Sequence, residues 1–244
     1  MSDSREEIRK VFNDVAQAYD SQRRYLIPCF DDFYGTAVDL AEADQPEPSI
    51  LDIGAGTGLV SALLLKKYPA ASLTLIDVSD QMMAMARQRF RNAFDIEYII
   101  DDFARHQFAK SFDIIVSSLA IHHLDEPEKK ALYNKVYHTL RKPGCFINAD
   151  QVLGSTAYLE NLYKKDWRKK VLDSPLTQEE IGQAYERTRM DQMSTLGEQL
   201  GWLKDAGFSE VDCVYKYYNF VVMYARKLCS APRAEHSSDR LPKQ

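Results

Sequence analysis

The chain has 244 residues, 45% of them hydrophobic, with 31 lysines and arginines against 36 aspartates and glutamates for a formal net charge of −5. That length and apolar fraction suit one sizeable core, and the acidic balance argues against a general nucleic-acid-tracking surface and favours a small or neutral binding partner. Residues 1–10 are polar and no run approaches the roughly 20 apolar residues that span a bilayer, so a cytoplasmic protein off the membrane is expected.

In chain order, residues 5–19 read as an opening helix, and the acidic, proline-containing stretch 41–48 as a linker. From 49 to 150, short apolar runs alternate with segments of helical period, the pattern of a parallel sheet with crossover helices. Five strands are predicted at 50–53, 73–76, 96–100, 112–117 and 145–150, each apolar enough for burial on both faces. Helices are predicted at 59–68, 81–91 and 127–140.

The pattern then changes. Residues 155–193 place aromatic and charged side chains at helical spacing without a strand run, as an inserted helical cap would, and Thr177 with Glu180 has the spacing of a capping box. A helix at 196–205 stops near Gly207. The runs 211–215 and 220–225 read as a closing hairpin, making seven strands. The polar segment 230–244 reads as a disordered tail. The expected organisation is therefore a lid at 1–48, a core at 49–154, a cap at 155–193, a closing helix and hairpin at 194–229, and the tail.

Cys29, Cys145, Cys213 and Cys229 show neither C-x-x-C pairing nor zinc spacing, so reduced thiols and no metal site are expected. Cys29 borders the expected site but reads as a buried structural thiol.

The motif Leu51-Asp52-Ile53-Gly54-Ala55-Gly56-Thr57-Gly58 joins a buried strand to a helix through alternating glycines, a shape that brings backbone amides close to a ligand. A dinucleotide fingerprint would place its third glycine one position later, where Leu59 stands. Asp77 ends the second strand, where a carboxylate accepts from the paired hydroxyls of a ribose.

Five segments, LDIGAGTG, LIDVSDQMMAMARQRF, IIDDFARHQF, FDIIVSSLAIHHL and LRKPGCFINAD, in this order and spacing, resemble the class I S-adenosylmethionine-dependent methyltransferases. The resemblance runs from Val11 to Lys227. It implies an α/β, Rossmann-like fold with a mostly parallel seven-stranded sheet and a terminal antiparallel hairpin. It also implies S-adenosyl-L-methionine as cofactor, a small-molecule acceptor, and allows a homodimer.

Residue by residue, the resemblance implies that Asp52, Gly54, Ala55, Gly56 and Gly58 lie against the methionine part of the cofactor and that Asp77 holds the ribose. Asp102 would take the adenine amino group and Phe103 offer its amide to the ring, with Val78 and Met82 packing the ring faces. Ser118 would touch the methionine moiety. In FNDVAQAYDSQRRY, Tyr19 and Arg24 would reach the methionine carboxylate, a group that suits a guanidinium fork. His122 and His123 fall at the rim, where one positions or deprotonates an acceptor, or where both simply pack. Tyr158, Trp167, Tyr185 and Arg187 are candidates to line an acceptor pocket, with plain core packing as the alternative for the aromatic residues.

The carboxyl half, including WLKDAGFSEVDCVYKYYNFVVMYARK, also resembles carboxy-S-adenosylmethionine synthases of tRNA wobble-uridine modification. Those enzymes use an arginine for the extra carboxylate where this chain has Trp202, so ordinary methyl transfer is the preferred expectation. A non-catalytic cofactor-binding protein is the third reading.

Overall fold

The computed structural model describes residues 2–16 and 19–228; the expected tail and Cys229 lie outside the described residues. The chain opens with α1 (Ser2–Val15), α2 (Tyr19–Leu26) and α3 (Phe30–Leu40). Alternation follows: β1 (Ser49–Ile53), α4 (Leu59–Lys67), β2 (Ser72–Asp77), α5 (Asp80–Arg89), β3 (Ile96–Ile100), β4 (Phe112–Ser118), a 3-10 turn (Ile121–His123), α6 (Glu126–Thr139) and β5 (Leu140–Gln151). The last part comprises α7 (Ala157–Leu172), α8 (Gln178–Thr188), α9 (Leu196–Asp205), β6 (Glu210–Tyr217) and β7 (Phe220–Lys227).

The strand order is β3-β2-β1-β4-β5-β7-β6. β1 to β5 run parallel, and β7 pairs antiparallel with both β5 and β6. Because β1 and β4 are neighbours whose following strands diverge in opposite directions, a crevice opens at their carboxyl ends, the place where such sheets hold ligands.

Alternation along the central strands sends Ile50 into one apolar layer and Leu51 and Ile53 into the other. The first layer holds Phe33, Tyr34, Leu64 and Met83; the second holds Leu132, Tyr133, Val136 and Leu203. Strands buried on both faces need such continuous apolar runs. β6 instead alternates exposed and half-buried residues as a sheet edge does.

Three differences from the sequence reading have simple causes. The opening helix is two helices, α1 and α2. α3 was not anticipated as a separate element. It buries Phe33, Tyr34 and Ala37, an i, i+1, i+4 stripe that packs onto the sheet. β5 begins at Leu140 rather than five residues later, because its first residues pair beside Phe112 across a register shift. The Thr177 hydroxyl does accept from the Glu180 amide, with the reciprocal bond also made, and Thr195 with Glu198 starts α9 in the same way.

Candidate functional site

The glycine turn follows β1, and Gly54, Gly56 and Gly58 all have left-handed φ, at 66°, 54° and 75°. Each glycine answers a different constraint. A Cβ on Gly54 would stand 2.2 Å from that of Ala120, and one on Gly58 would stand 2.6 Å from the Phe90 ring, whereas one on Gly56 would meet nothing within 4 Å. Gly56 therefore leaves open space, and that space is part of a cavity.

The turn's amides do not face this cavity unengaged, as the sequence suggested. Gly54 and Ala55 both donate to the Ile76 carbonyl, at 2.9 and 3.0 Å, and Gly58 donates to Ala55 at 2.8 Å. Gly56 donates to Asp77 Oδ2 at 2.8 Å, and Asp77 Oδ1 accepts from Ser79 at 2.9 Å. Burial raises the Asp77 carboxyl above its ordinary value, opposed by these amide bonds. Asp77 thus braces the turn while lining the cavity.

The turn, the end of β2 and the segment after β3 share a first cavity. Tyr19, Gly54, Gly56, Asp77, Val78, Met82, Asp102, Phe103 and His123 all line it, as the sequence expected of a single site. Its roof includes Ile8 and Phe12 of α1. Asn13 latches α1 to the start of α5: its Oδ1 accepts from the Ser79 hydroxyl at 2.6 Å and its Nδ2 donates to Asp80 at 3.0 Å. α2 is latched likewise, since Asp20 accepts from the Thr57 hydroxyl at 2.6 Å and pairs with Arg89.

The charge of the lining is one-sided. Asp77, Asp102, Asp125 and Glu128 face this cavity, and no lysine or arginine does among the described residues. With the glycine amides engaged as well, a pyrophosphate finds repulsion and few donors, whereas hydroxyls, an exocyclic amine and a cationic centre find acceptors.

Other expected residues sit elsewhere. Asp52 shares a sheet face with Ile50, is 2% exposed, and accepts from the Ser61 hydroxyl at 2.7 Å beneath the turn. Burial lifts its carboxyl to about 7, opposed by the Ser61 bonds and reinforced by the Asp77 charge. Ser118 donates to the Tyr34 hydroxyl at 3.3 Å. Ala55, Gly58 and Ser118 line neither this cavity nor the next. Arg24 lies outside as well: its side chain is 60% exposed and pairs with Asp31 at 2.9 Å. One position earlier on α2, Arg23 turns inward and donates to the Tyr19 hydroxyl at 2.7 Å. Cys29 lines neither cavity, and burial pushes its thiol up.

A second cavity adjoins the first through Phe12, Tyr19, Leu119 and His123. Leu119 holds a left-handed φ of 49° on this shared wall, a conformation that costs about 1–3 kcal/mol in a non-glycine residue and often marks a functional site. A third space opens beyond, sharing Gln151, Trp167, Thr188 and Asp191 with the second. Tyr185 lines that outer space, whereas Tyr158 is 77% exposed and lines none of the three.

The adjacent histidines differ in state. His122 Nδ1 lies 2.5 Å from Asp150, its amide donates to the same carboxylate at 3.1 Å, and Nε2 lies 3.4 Å from Asp191. Burial opposes its charge, but Asp150 and Asp191 outweigh burial and raise it to about 10. His123 is driven the other way, to about 3, by burial and by the His122 charge. Neither of its ring nitrogens makes a well-formed hydrogen bond among the described residues, with Asp191 3.5 Å away. His122, His123 and Asp191 also bring one ligand-type atom each within 4.8 Å of one another. Asp150 and Asp191 escaped the sequence reading: the first is only a strand-end acid, and the second lies 69 residues beyond His122 with no motif around it.

Residues 50–144 match a family model described as a methyltransferase domain. Over those residues the chain carries a methyltransferase domain. It is an enzyme, and its cofactor is S-adenosyl-L-methionine. The chain is similar to the carboxy-S-adenosyl-L-methionine synthase of Nautilia profundicola, 25% identical over 222 residues, 88% of this chain and 92% of that one. It is 28% identical over 166 residues to the demethylmenaquinone methyltransferase of Chlorobaculum tepidum, covering 66% of each. The solved structure of human N-acetylserotonin methyltransferase in complex with SAM shares the fold, with a TM-score of 0.54 and 21% identity over 80% of this chain and 52% of that one. This methyltransferase-domain chain thus spans about half of the human structure.

Proposed function

We propose that the protein transfers a methyl group from S-adenosylmethionine to a small-molecule acceptor seated in the second cavity. The observation that carries this reading is electrostatic: among the described residues, four carboxylates and no arginine or lysine line the first cavity, whereas Arg23 and Arg187 line the adjoining one, where Asp191 is held by His122. A nucleoside with a cationic sulfonium suits the first, and the methionine carboxylate suits the arginine side of their shared wall.

Asp77 and Asp102 would accept from the ribose and the adenine amine, with Val78, Met82 and Phe103 supplying apolar surface. Tyr19 and Arg23 would hold the methionine carboxylate, Arg23 taking the part the sequence gave to Arg24. Asp52, Ala55, Gly58 and Ser118 would support the site from behind. When bound, the cofactor supplies an electrophilic methyl on a sulfonium.

Of the two histidines only His123 has a basic nitrogen to offer, because His122 is held protonated by Asp150 and Asp191. A nitrogen held near 3 is a weak base, so His123 would accept a hydrogen bond and orient the acceptor rather than strip it. Alignment of well-held reactants supplies on the order of 7 kcal/mol or more, which lessens the need for a strong base. His122, held by Asp150 and Asp191, would fix the loop that carries His123.

Full-length similarity to carboxy-S-adenosylmethionine synthases supports a second reading. Trp202 packs in the second apolar layer with Lys130 5.1 Å above its ring and lines none of the cavities described, so that position does not separate the two readings. Methyl-labelled cofactor incubated with the protein and a cell extract separates the readings. Label in a small metabolite supports methyl transfer, label retained on a cofactor heavier by a carboxylate supports the synthase, and binding without either points to a silent binder. We also place the protein in the cytoplasm and off nucleic acid, and retain a homodimer; light scattering tests the dimer. No described helix is long and apolar enough to cross a membrane.

A further inference from the structure

The second cavity is lined by two arginines whose hydrogen-bonding capacity the protein does not fully use. Arg23, from α2, and Arg187, from α8, both line it. Arg23 Nε and Arg187 Nη1 are buried without a hydrogen-bond partner among the described residues. The nearby carboxylates are already engaged, since Asp150 and Asp191 flank His122 at 2.5 and 3.4 Å. Both half-buried arginines thus keep a buried nitrogen with no acceptor, which is unfavourable unless a ligand supplies one.

On the reading above, the cofactor brings one carboxylate, which Tyr19 and Arg23 take at the wall common to both cavities. Arg187 remains. It lines the second cavity but not the first, and it stands on the inserted α8 helix, on the side that opens outward past Trp167 and Thr188. Burial, joined by the Arg23 charge and opposed by Tyr19, pushes its guanidinium below the ordinary value, a tension that an incoming anion relieves.

We propose that the acceptor is an organic carboxylate whose carboxylate group pairs with Arg187 and whose apolar or aromatic body lies against Trp167. Arg187 is then the arginine of this cavity that no carboxylate meets, and a planar carboxylate matches its guanidinium fork. The wall also suits such a body: Leu26, Ala184 and Phe220 are apolar, and Trp167 is fixed by donating its indole N–H to the Leu26 carbonyl at 2.8 Å.

The test is calorimetry on the full chain saturated with S-adenosylhomocysteine, titrated with benzoate and with its neutral isostere benzamide. Benzoate is expected to bind in addition to the nucleoside and at least about tenfold more tightly than benzamide. Arg187→Gln should erase that preference and Arg187→Lys restore part of it. S-adenosylhomocysteine affinity should stay within about twofold in Arg187→Gln, whereas Arg23→Gln should weaken it.

The proposal is overturned if benzoate binds no better than benzamide, if it displaces the nucleoside, or if Arg187→Gln keeps the preference. It is equally overturned if Arg187→Gln weakens nucleoside binding as much as Arg23→Gln does. If Arg187→Gln does not fold, the wild-type contrast and Arg187→Lys decide. Failure of the underlying reading is a separate result: S-adenosylhomocysteine would not bind the wild-type protein at all.

Discussion

Gly56→Ala separates a glycine kept for the ligand from glycines kept for the fold. An alanine at φ 54° is strained by about 1–2 kcal/mol, and its Cβ meets nothing within 4 Å, so no packing penalty adds to that strain in the free protein. For a chain of this size the melting temperature should fall by roughly 2–8 °C. Binding should suffer separately, because the methyl occupies space on the cavity wall. Overfilling a fitted site costs about 1–3 kcal/mol, or roughly 5- to 150-fold in affinity.

Gly54→Ala, whose Cβ would stand 2.2 Å from that of Ala120, should instead fail to fold or melt far lower. Thermal melting with calorimetric titration of S-adenosylhomocysteine reads both effects. A Gly56→Ala protein that binds the nucleoside as tightly as wild type would refute the placement of the cofactor against this turn. Asp77→Ala is a less clean probe, because the same carboxylate accepts from the Gly56 and Ser79 amides and its loss loosens the turn.

Other outcomes follow from charge. Arg23→Gln should weaken S-adenosylmethionine binding about tenfold or more, the size of a lost charge-assisted pair, while Arg24→Gln, at an exposed ion pair, should change it less than about twofold; calorimetry on both variants checks the inward placement of Arg23. In a nuclear magnetic resonance titration, His122 should hold its proton to about pH 10 and His123 remain neutral down to about pH 3; a shared value near 6.5 would contradict the flanking by Asp150 and Asp191. Because the folded value of His122 is raised, its stabilisation is complete below about pH 6.5 and is lost as pH climbs through 10, so stability should decline over that window and Asp150→Asn should flatten the decline. The Asp52 carboxyl is also raised but is an acid, so the fold is disfavoured progressively from about pH 4 to about 7 and evenly above that. Asp52→Asn, which keeps an acceptor for Ser61, should therefore raise the melting temperature at pH 8 more than at pH 4.

The central sheet was legible because its strands are buried on both faces and read as unbroken apolar runs between glycine and helix signals. The first cavity was legible for a related reason: Gly54, Gly56, Asp77, Val78, Met82 and Asp102 lie at strand ends or first helical turns, where chain order fixes position. Arg23 and Arg24 show the limit. They are adjacent, chemically equal, and distinguished only by which side of α2 meets the Tyr19 hydroxyl. The partners of His122 lie further out of reach, since Asp191 comes back to it only after two inserted helices have folded across the site. The Gln192 amide donating to the His122 carbonyl at 2.8 Å and Lys129 bonding the Gln192 carbonyl hold that return, and neither contact leaves a local pattern. α3 carried a readable helical stripe, but its place on the sheet depends on tertiary packing.

Side-by-side calorimetric titration of the full chain with S-adenosylhomocysteine and with NADH tests the central claim most directly. An acidic cavity whose glycine amides are already engaged predicts one-to-one binding of the first and no measurable binding of the second. Tight NADH binding with no response to S-adenosylhomocysteine would contradict it.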